Sequence, residues 1–467
     1  MRMGSLYPVC GFETIPGDTV QIQNRVLIRV TPLATPVMHP CVVRLHTYFV
    51  PNRILDPADG SFKWENFITG GEDGTYVTPP PTASAVTVTE GDVADYFGIT
   101  PGTRTYNVFL MRAYAKIWNE FYRDQQLQTA LDVDTYTGAT APQKVSWARD
   151  YFTEARPEAQ LGDAVTLSVG SQAPIKTAAP VSGGNPSIFT TDDDTQRIMT
   201  AGGANVGLGA VDAAGGDMYA DLSAANAIDI NDVRRAFALQ RYKEARNLYG
   251  ARFVEYLRYL GIRSSDARLQ RPEYIGGGKG LISFSEVLST DDGGTNPVGS
   301  MSGHGIANVT TRPSRYFCEE EGHVITLMSV RPIAIYMQAQ HQMFNRTTKE
   351  EYWQKELQQI GQQAVENREI YVDHTTPTGT FGWNDRYRAF KEVPNLAVGE
   401  FRSSLNSWHL GRDFGSDPAL NSSFIECDPT DRVYADTSGT TDKLWCMVNN
   451  KVAVRSMLRK GGTNRIL

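Results

Sequence analysis

VQIQNRVLIRV, residues 20–30, puts Val20, Ile22, Val26, Ile28 and Val30 on one parity. A two-residue period marks a strand with one buried face and one wet face. Pro16-Gly17-Asp18 just ahead of it is a turn signal. Pro32, Pro36 and Pro40 then bar a central strand. Cys41–Val50 resumes the alternation, with Val43, Leu45, Thr47 and Phe49 on one side, and Pro51-Asn52 ends it. His323–Val330, Ile333–Gln340 and Lys443–Met457 read as further strands.

Helical spacing appears in three places. Over Asn107–Leu127, Leu110, Tyr114, Ile117, Trp118, Phe121 and Tyr122 recur on one face. Asp229–Leu260 is a second region, capped by Asp229 or Asn231 and divided at Gly250. Glu350–Val365 is a third, with Trp353, Leu357, Ile360 and Ala364 on one stripe. Between 163 and 227 Ala, Gly, Ser, Thr and Asp dominate, aromatics nearly vanish and periodicity is lost, the mark of an inserted surface excursion. A second Gly-rich loop is expected over Thr290–Gly305. Strands and helices do not alternate as in a parallel-sheet enzyme. The order predicts a mainly β protein, an antiparallel sandwich with long loop insertions containing several α-helices.

The 467 residues are 41% hydrophobic and 21% charged, ordinary for a folded soluble chain. With 42 Gly and 24 Pro, the composition suits loops and strands better than a helical bundle. A net charge of −7 confines any nucleic-acid contact to a local patch. No run reaches the roughly 18 apolar residues of a membrane span, and the start has no secretory pattern. Cys10, Cys41, Cys318, Cys427 and Cys446 are scattered, which argues against a disulfide framework or a zinc site and fits a reducing cytoplasm.

Catalytic signals are weak. Gly276-Gly277-Gly278-Lys279-Gly280 lacks the Ser or Thr of a phosphate loop and reads as a flexible turn. Cys41 and His46 point to opposite faces of one strand, so they are poor co-ligands. No catalytic residue, metal site or cofactor is expected. The rival enzyme reading, a β-sandwich hydrolase using Glu319, Glu320 or Glu321, rests on an acidic run that solvated turns commonly carry. An adhesin is a third class.

From 443 to 467 the chain has no acidic residue and carries Lys443, Lys451, Arg455, Arg459, Lys460 and Arg465, a basic C-terminal strand and tail. Such a tail can neutralise phosphates without reading sequence. A solvated terminus and an inter-subunit arm are the other readings.

Several runs together resemble the major capsid proteins of the Microviridae, in particular the gokushovirus-like branch. They are PGDT at 16–19, HTYFVPNR at 46–53, WENFITGG at 64–71, IWNEFYRDQ at 117–125 and RDYFT at 149–153. SSDARLQRPEYIGGG at 264–278 is the most distinctive, followed by MSVRP at 328–332, GQQAV at 361–365, FRSSLNSWHL at 401–410 and FIECDP at 424–429. Over 154–160 the chain departs from the Pro-Trp-Pro-Gln that relatives often carry.

The resemblance implies one capsid domain over 1–467, built on an eight-stranded antiparallel jelly roll. It also implies a T=1 icosahedral shell around a circular single-stranded DNA genome in a bacteriophage, assembled in the bacterial cytoplasm. Implied partners are further copies of the chain, a DNA pilot protein, an internal scaffolding protein and a host receptor, with 163–227 as a three-fold protrusion. On that basis Lys451, Arg455, Arg459, Lys460 and Arg465 are candidate DNA contacts. Trp64, Phe67, Trp383, Tyr387 and Trp408 are candidate subunit-interface anchors or, equally, caps within one subunit.

Overall fold

The computed structural model describes residues 1–166, 230–290, 297–439 and 441–458, and the backbone of four three-residue strands between 175 and 220. The chain divides into two compact units, 1–159 with 246–467, and 160–245.

The larger unit is built on eight antiparallel strands: β1 Leu6–Thr14, β2 Thr19–Val30, β3 Cys41–Pro51, β4 Glu273–Leu288, β5 Met301–Thr310, β6 Ser314–Phe317, β7 Gly322–Pro332 and β8 Leu444–Arg455. They run β1-β7-β3-β4-β5-β2. β6 continues β5 along the same edge of β2, and β8 takes the other edge over its whole length. The sheet curls until its ends approach: the Asn450 side chain on β8 donates to Val9 O on β1 at 2.7 Å. This nearly closed antiparallel sheet is consistent with a jelly-roll capsid fold, as the family resemblance implies.

The parity of β2 is the observed one. Val20, Ile22, Val26, Ile28 and Val30 are buried inside the curl. Val26, Ile28 and Val30 meet Cys41, Val43 and Leu45 of β3 and Met328 and Val330 of β7 in one apolar cluster, and Val20 and Ile22 meet Phe49 of β3 and Val324 of β7 in another. Each such side chain contributes on the order of 2 kcal/mol when fully buried. Asn24 holds the same parity and is also buried. Its side chain donates to Asn450 Oδ1 at 2.7 Å, and across the barrel Thr47 and Thr326 pair their hydroxyls at 2.9 Å. These bonds satisfy polar groups that would otherwise be stranded.

On the outer side of β1, β7 and β3 lies the largest cluster, where Tyr48, Val50, Ile325 and Leu327 pack under helix α1, Phe109–Phe121. That is why β7 is buried on both faces and reads as a nearly unbroken apolar run. Tyr114 of α1 donates to Leu6 O at 2.9 Å, and Trp118 donates to Lys144 O at 3.0 Å. The helix stops short of the expected Leu127. The Asp124 carboxylate takes the backbone N–H of Gln126 and Leu127 at 3.0 and 3.2 Å, an Asx turn that competes with helix.

The Asp229–Leu260 region is two helices, α2 Ile230–Tyr249 and α3 Phe253–Tyr259, parted at Gly250 with φ +102°. Any Cβ there would lie 2.1 Å from Glu255 Oε2. In the smaller unit, Ile175–Thr177 pairs with Met218–Ala220 and Ser187–Phe189 with Gln196–Ile198. The stretch 163–227 therefore holds short strand pairs that its composition did not announce.

Four local readings are corrected. Glu350–Val365 is no helix. Lys349–Glu351 is one 3-10 turn, and Gln362–Glu366 is a strand paired with Thr380–Asp385. Trp353 and Ile360 stay more than half exposed, so the stripe has no core to dock on within the subunit. Ile333–Gln340 is no strand. Tyr336 alone makes isolated bridges, to Leu396 and Arg412.

Gly276–Gly280 is not a turn but the middle of β4, paired with β3. A Cβ on Gly277 would stand 2.1 Å from Leu45 O, and one on Gly280 2.4 Å from Val309 Cγ2. The glycines are there so that neighbours can come close. The end of the expected Gly-rich loop, from Met301, is strand β5 for the same reason. A Cβ on Gly303 would meet Thr35 O at 2.8 Å, and one on Gly305 would meet Val30 Cγ2 at 2.7 Å.

Candidate nucleic-acid interface

β2 sends its even-numbered side chains inward from Val20 to Val30, so Gln21, Gln23, Arg25, Leu27 and Arg29 face out. β8 follows by register: Trp445 lies opposite Arg29, Met447 opposite Leu27 and Lys451 opposite Gln23, and Arg455 ends the row opposite Thr19. On the other edge Ile306 of β5 lies beside Arg29 and Arg315 of β6 beside Gln21. Lys279 and Leu281 of β4 face out, because their neighbours Gly280 and Ile282 pair with the inward Val43 and Cys41.

The result is one exposed sheet face carrying Arg25, Arg29, Lys279, Arg315, Lys451 and Arg455. Among the described residues none of these six cations forms an ion pair. No Asp or Glu occupies an outward position of β2, β5, β6 or β8. In a chain of net charge −7 that is a strong local asymmetry. Trp445, 58% exposed, and Phe317, 55% exposed, lie on the same face. Cations beside exposed aromatic rings can neutralise phosphates and stack bases at once. The buried residues beneath, Val26, Ile28, Ile282 and Val309, make the platform rigid.

Of the sequence-predicted contacts, Lys451 and Arg455 are on this face, while Arg459, Lys460 and Arg465 lie outside the described residues. Arg25, Arg29, Lys279 and Arg315 were missed. Arg25 and Arg29 could have been found from the odd parity of β2, the complement of the residues that defined the strand. The five aromatic candidates sit elsewhere. Trp64 and Phe67 are half-buried, with Trp64 edge-on to Phe109 at 5.4 Å. Trp383 and Trp408 are half-buried. Tyr387 is buried, and its hydroxyl donates to Glu350 O at 3.2 Å, supporting the 349–354 loop. Among the described residues no group of three His, Cys, Asp or Glu could hold a metal ion, and no helix is long and apolar enough to cross a membrane.

Residues 1–459 match the family model described as Capsid protein (F protein). The chain is 32% identical to Capsid protein VP1 of Bdellovibrio phage phiMH2K, over 91% of this chain and 85% of that one. It is 29% identical to Capsid protein VP1 of Chlamydia phage 1, over 93% and 88% of the two chains. Capsid protein VP1 of Spiroplasma virus 4 is also 29% identical, over 91% and 85%.

Proposed function

The chain belongs to the capsid protein (F protein) family, and from that premise we propose that its copies close into a T=1 icosahedral shell around a circular single-stranded DNA genome, with the cationic sheet face turned to the DNA. Membership carries the coarse role: a structural component of a phage virion, working as a homo-oligomeric shell and not as an enzyme. The observation that supports the finer reading is the face of six cations, none of them ion-paired among the described residues, beside Trp445 and Phe317.

Binding is non-specific. Each guanidinium or ammonium releases counterions from a phosphate, and the rings stack on whichever base is near. Arg459, Lys460 and Arg465, which follow Arg455 in sequence, are DNA contacts in the same reading. Shell closure uses heterologous contacts repeated around symmetry axes. The anchors are the exposed edges of Trp64, Phe67, Trp383 and Trp408, together with Trp353 and Phe390, each at least half exposed. Tyr387 holds its loop in place from within. The 163–227 stretch lies on the outer face as the three-fold protrusion and, with other loops, carries host attachment. Assembly takes place in the bacterial cytoplasm with a pilot and a scaffolding protein.

The deciding experiment is to assemble particles from a chain carrying Arg25→Gln, Arg29→Gln, Lys451→Gln and Arg455→Gln, then to measure nucleic-acid content and image the shells. Closed shells with sharply reduced DNA are expected. Normal genome content ends the reading of the sheet face, and failure of the unaltered chain to form closed particles ends the reading of the shell.

A further inference from the structure

A cavity of about 530 Å3 opens where the C-terminal turn of α1 meets the outer faces of β3 and β7. Six arginines line it: Arg44, Arg123, Arg149, Arg156, Arg252 and Arg331. Its two carboxylates, Asp124 and Glu255, are already engaged, by Arg156 at 3.5 Å and by Arg252 at 3.4 Å. Arg149 leans out to Glu154 at 3.8 Å. Arg44, Arg123 and Arg331 have no carboxylate at ion-pairing distance among the described residues. Arg44 faces Ser329 and Arg331 faces Val42, so the two guanidinium groups are diagonal neighbours on one face.

Their internal bonds leave them underused. Arg331 donates to Ser146 O at 2.6 Å and Arg123 to Gln128 O at 2.8 Å, and the Arg123 Nε is buried without a partner. Burial, and then Arg44, hold Arg331 below its usual range. Burial, then Arg44 and Arg331, push the His46 imidazole down to about 4, so it adds no charge at neutral pH. Like charges gathered in a half-enclosed cleft are costly until an anion joins them. Guanidinium forks match phosphate oxygens two at a time. The cavity has the size of a small-molecule site, and the half-buried Phe121 and Tyr122 in its wall give a base apolar surface.

We propose that this cavity binds a small phosphate-bearing anion, with a nucleotide as the class that fills it, gripped by Arg44, Arg123 and Arg331. The site lies on β3 and β7, with Arg44 opposite Lys279 at the margin of the cationic face, and the proposal goes beyond the shell-and-genome reading. Bound there, the phosphate ties the end of α1 and the 250–255 segment to the sheet.

The test uses the full chain. Thermal unfolding and equilibrium binding are measured with ATP, with inorganic phosphate and with a dT oligonucleotide, all at matched ionic strength. ATP is expected to raise Tm. Arg44→Gln, which breaks no internal hydrogen bond among the described residues, should weaken ATP binding roughly tenfold or more, and Arg44→Lys should recover part of it. If only the oligonucleotide binds and its affinity falls with Arg44→Gln, the phosphate comes from a strand and the site stands. The proposal is overturned if no ligand binds in an Arg44-dependent way. It is equally overturned if Arg25→Gln with Lys451→Gln abolishes ATP binding while Arg44→Gln does not.

Discussion

Neutralising the sheet face should change how DNA affinity responds to salt more than it changes the fold. Single strands lose affinity with a log–log slope of about −0.7 per neutralised phosphate. If Arg25, Arg29, Lys279, Arg315, Lys451 and Arg455 all engage, the slope is about −4, a loss of roughly 300-fold between 50 and 200 mM salt. With Arg25, Arg29, Lys451 and Arg455 changed to Gln, two cations remain, and the slope should fall to about −1.4, a loss of roughly sevenfold over the same range. All four are exposed, so stability should move by no more than about 0.5 kcal/mol for each substitution. The assay is fluorescence anisotropy of a labelled dT oligonucleotide on the full chain across that salt range, with Lys63→Gln, exposed outside the face, as the control. An unchanged slope in the fourfold variant, or an equal drop in the control, refutes the assignment.

Trp445→Ala should weaken the same oligonucleotide by about 1–3 kcal/mol if a base stacks on its ring, with the salt slope left intact. Gly277→Ala, which sets a methyl group 2.1 Å from Leu45 O, should destabilise the subunit by about 3 kcal/mol in urea melts; a neutral result means β3 and β4 can part without cost. Asn24→Ala leaves the Asn450 carbonyl without its donor and should cost about 1–3 kcal/mol, read from the same melts. Burial, reinforced by Glu366, raises the Glu369 carboxyl to about 7 from an ordinary value near 4.5. A raised carboxyl stabilises the fold fully below pH 4.5 and loses that contribution as pH climbs through 7, on the order of 3 kcal/mol in all. Tm of the unaltered chain should therefore fall relative to Glu369→Gln between pH 5 and 8. His39 and His46, held near 4 chiefly by burial, have the opposite sign: their contribution is complete above pH 6.5 and fades as pH falls toward 4.

The strands were legible wherever one rule governed both faces. β2 has one wet face, and its alternation survives intact. β7 and the second half of β3 are buried on both faces, yet Val43, Leu45, Thr47 and Phe49 still share a parity. α1 was legible because its aromatic stripe has a sheet to lie on. The stripe Trp353–Leu357–Ile360 has the same spacing and no such partner, and spacing alone does not distinguish the two. The glycines of β4 were misread because their reason lies far off in sequence, in the Leu45 carbonyl and the Val309 side chain. The cationic face was half visible. Lys451 and Arg455 stood out in a stretch without acids, but Arg25, Arg29, Lys279 and Arg315 are scattered over three distant segments that only strand pairing brings together.

The pairing of β2 with β8 joins residues 19–30 to residues 444–455. A chain leaving the ribosome at about 5–20 residues per second therefore waits roughly 20–80 s between making one partner and the other. For that interval β2 has an open edge and Val26, Ile28 and Val30 lack their final cover. The nascent subunit cannot finish its own wall until residues 444–455 have been made. An uncovered strand edge beside apolar side chains invites pairing with other half-made chains, so this interval is when the nascent subunit is most open to misassembly.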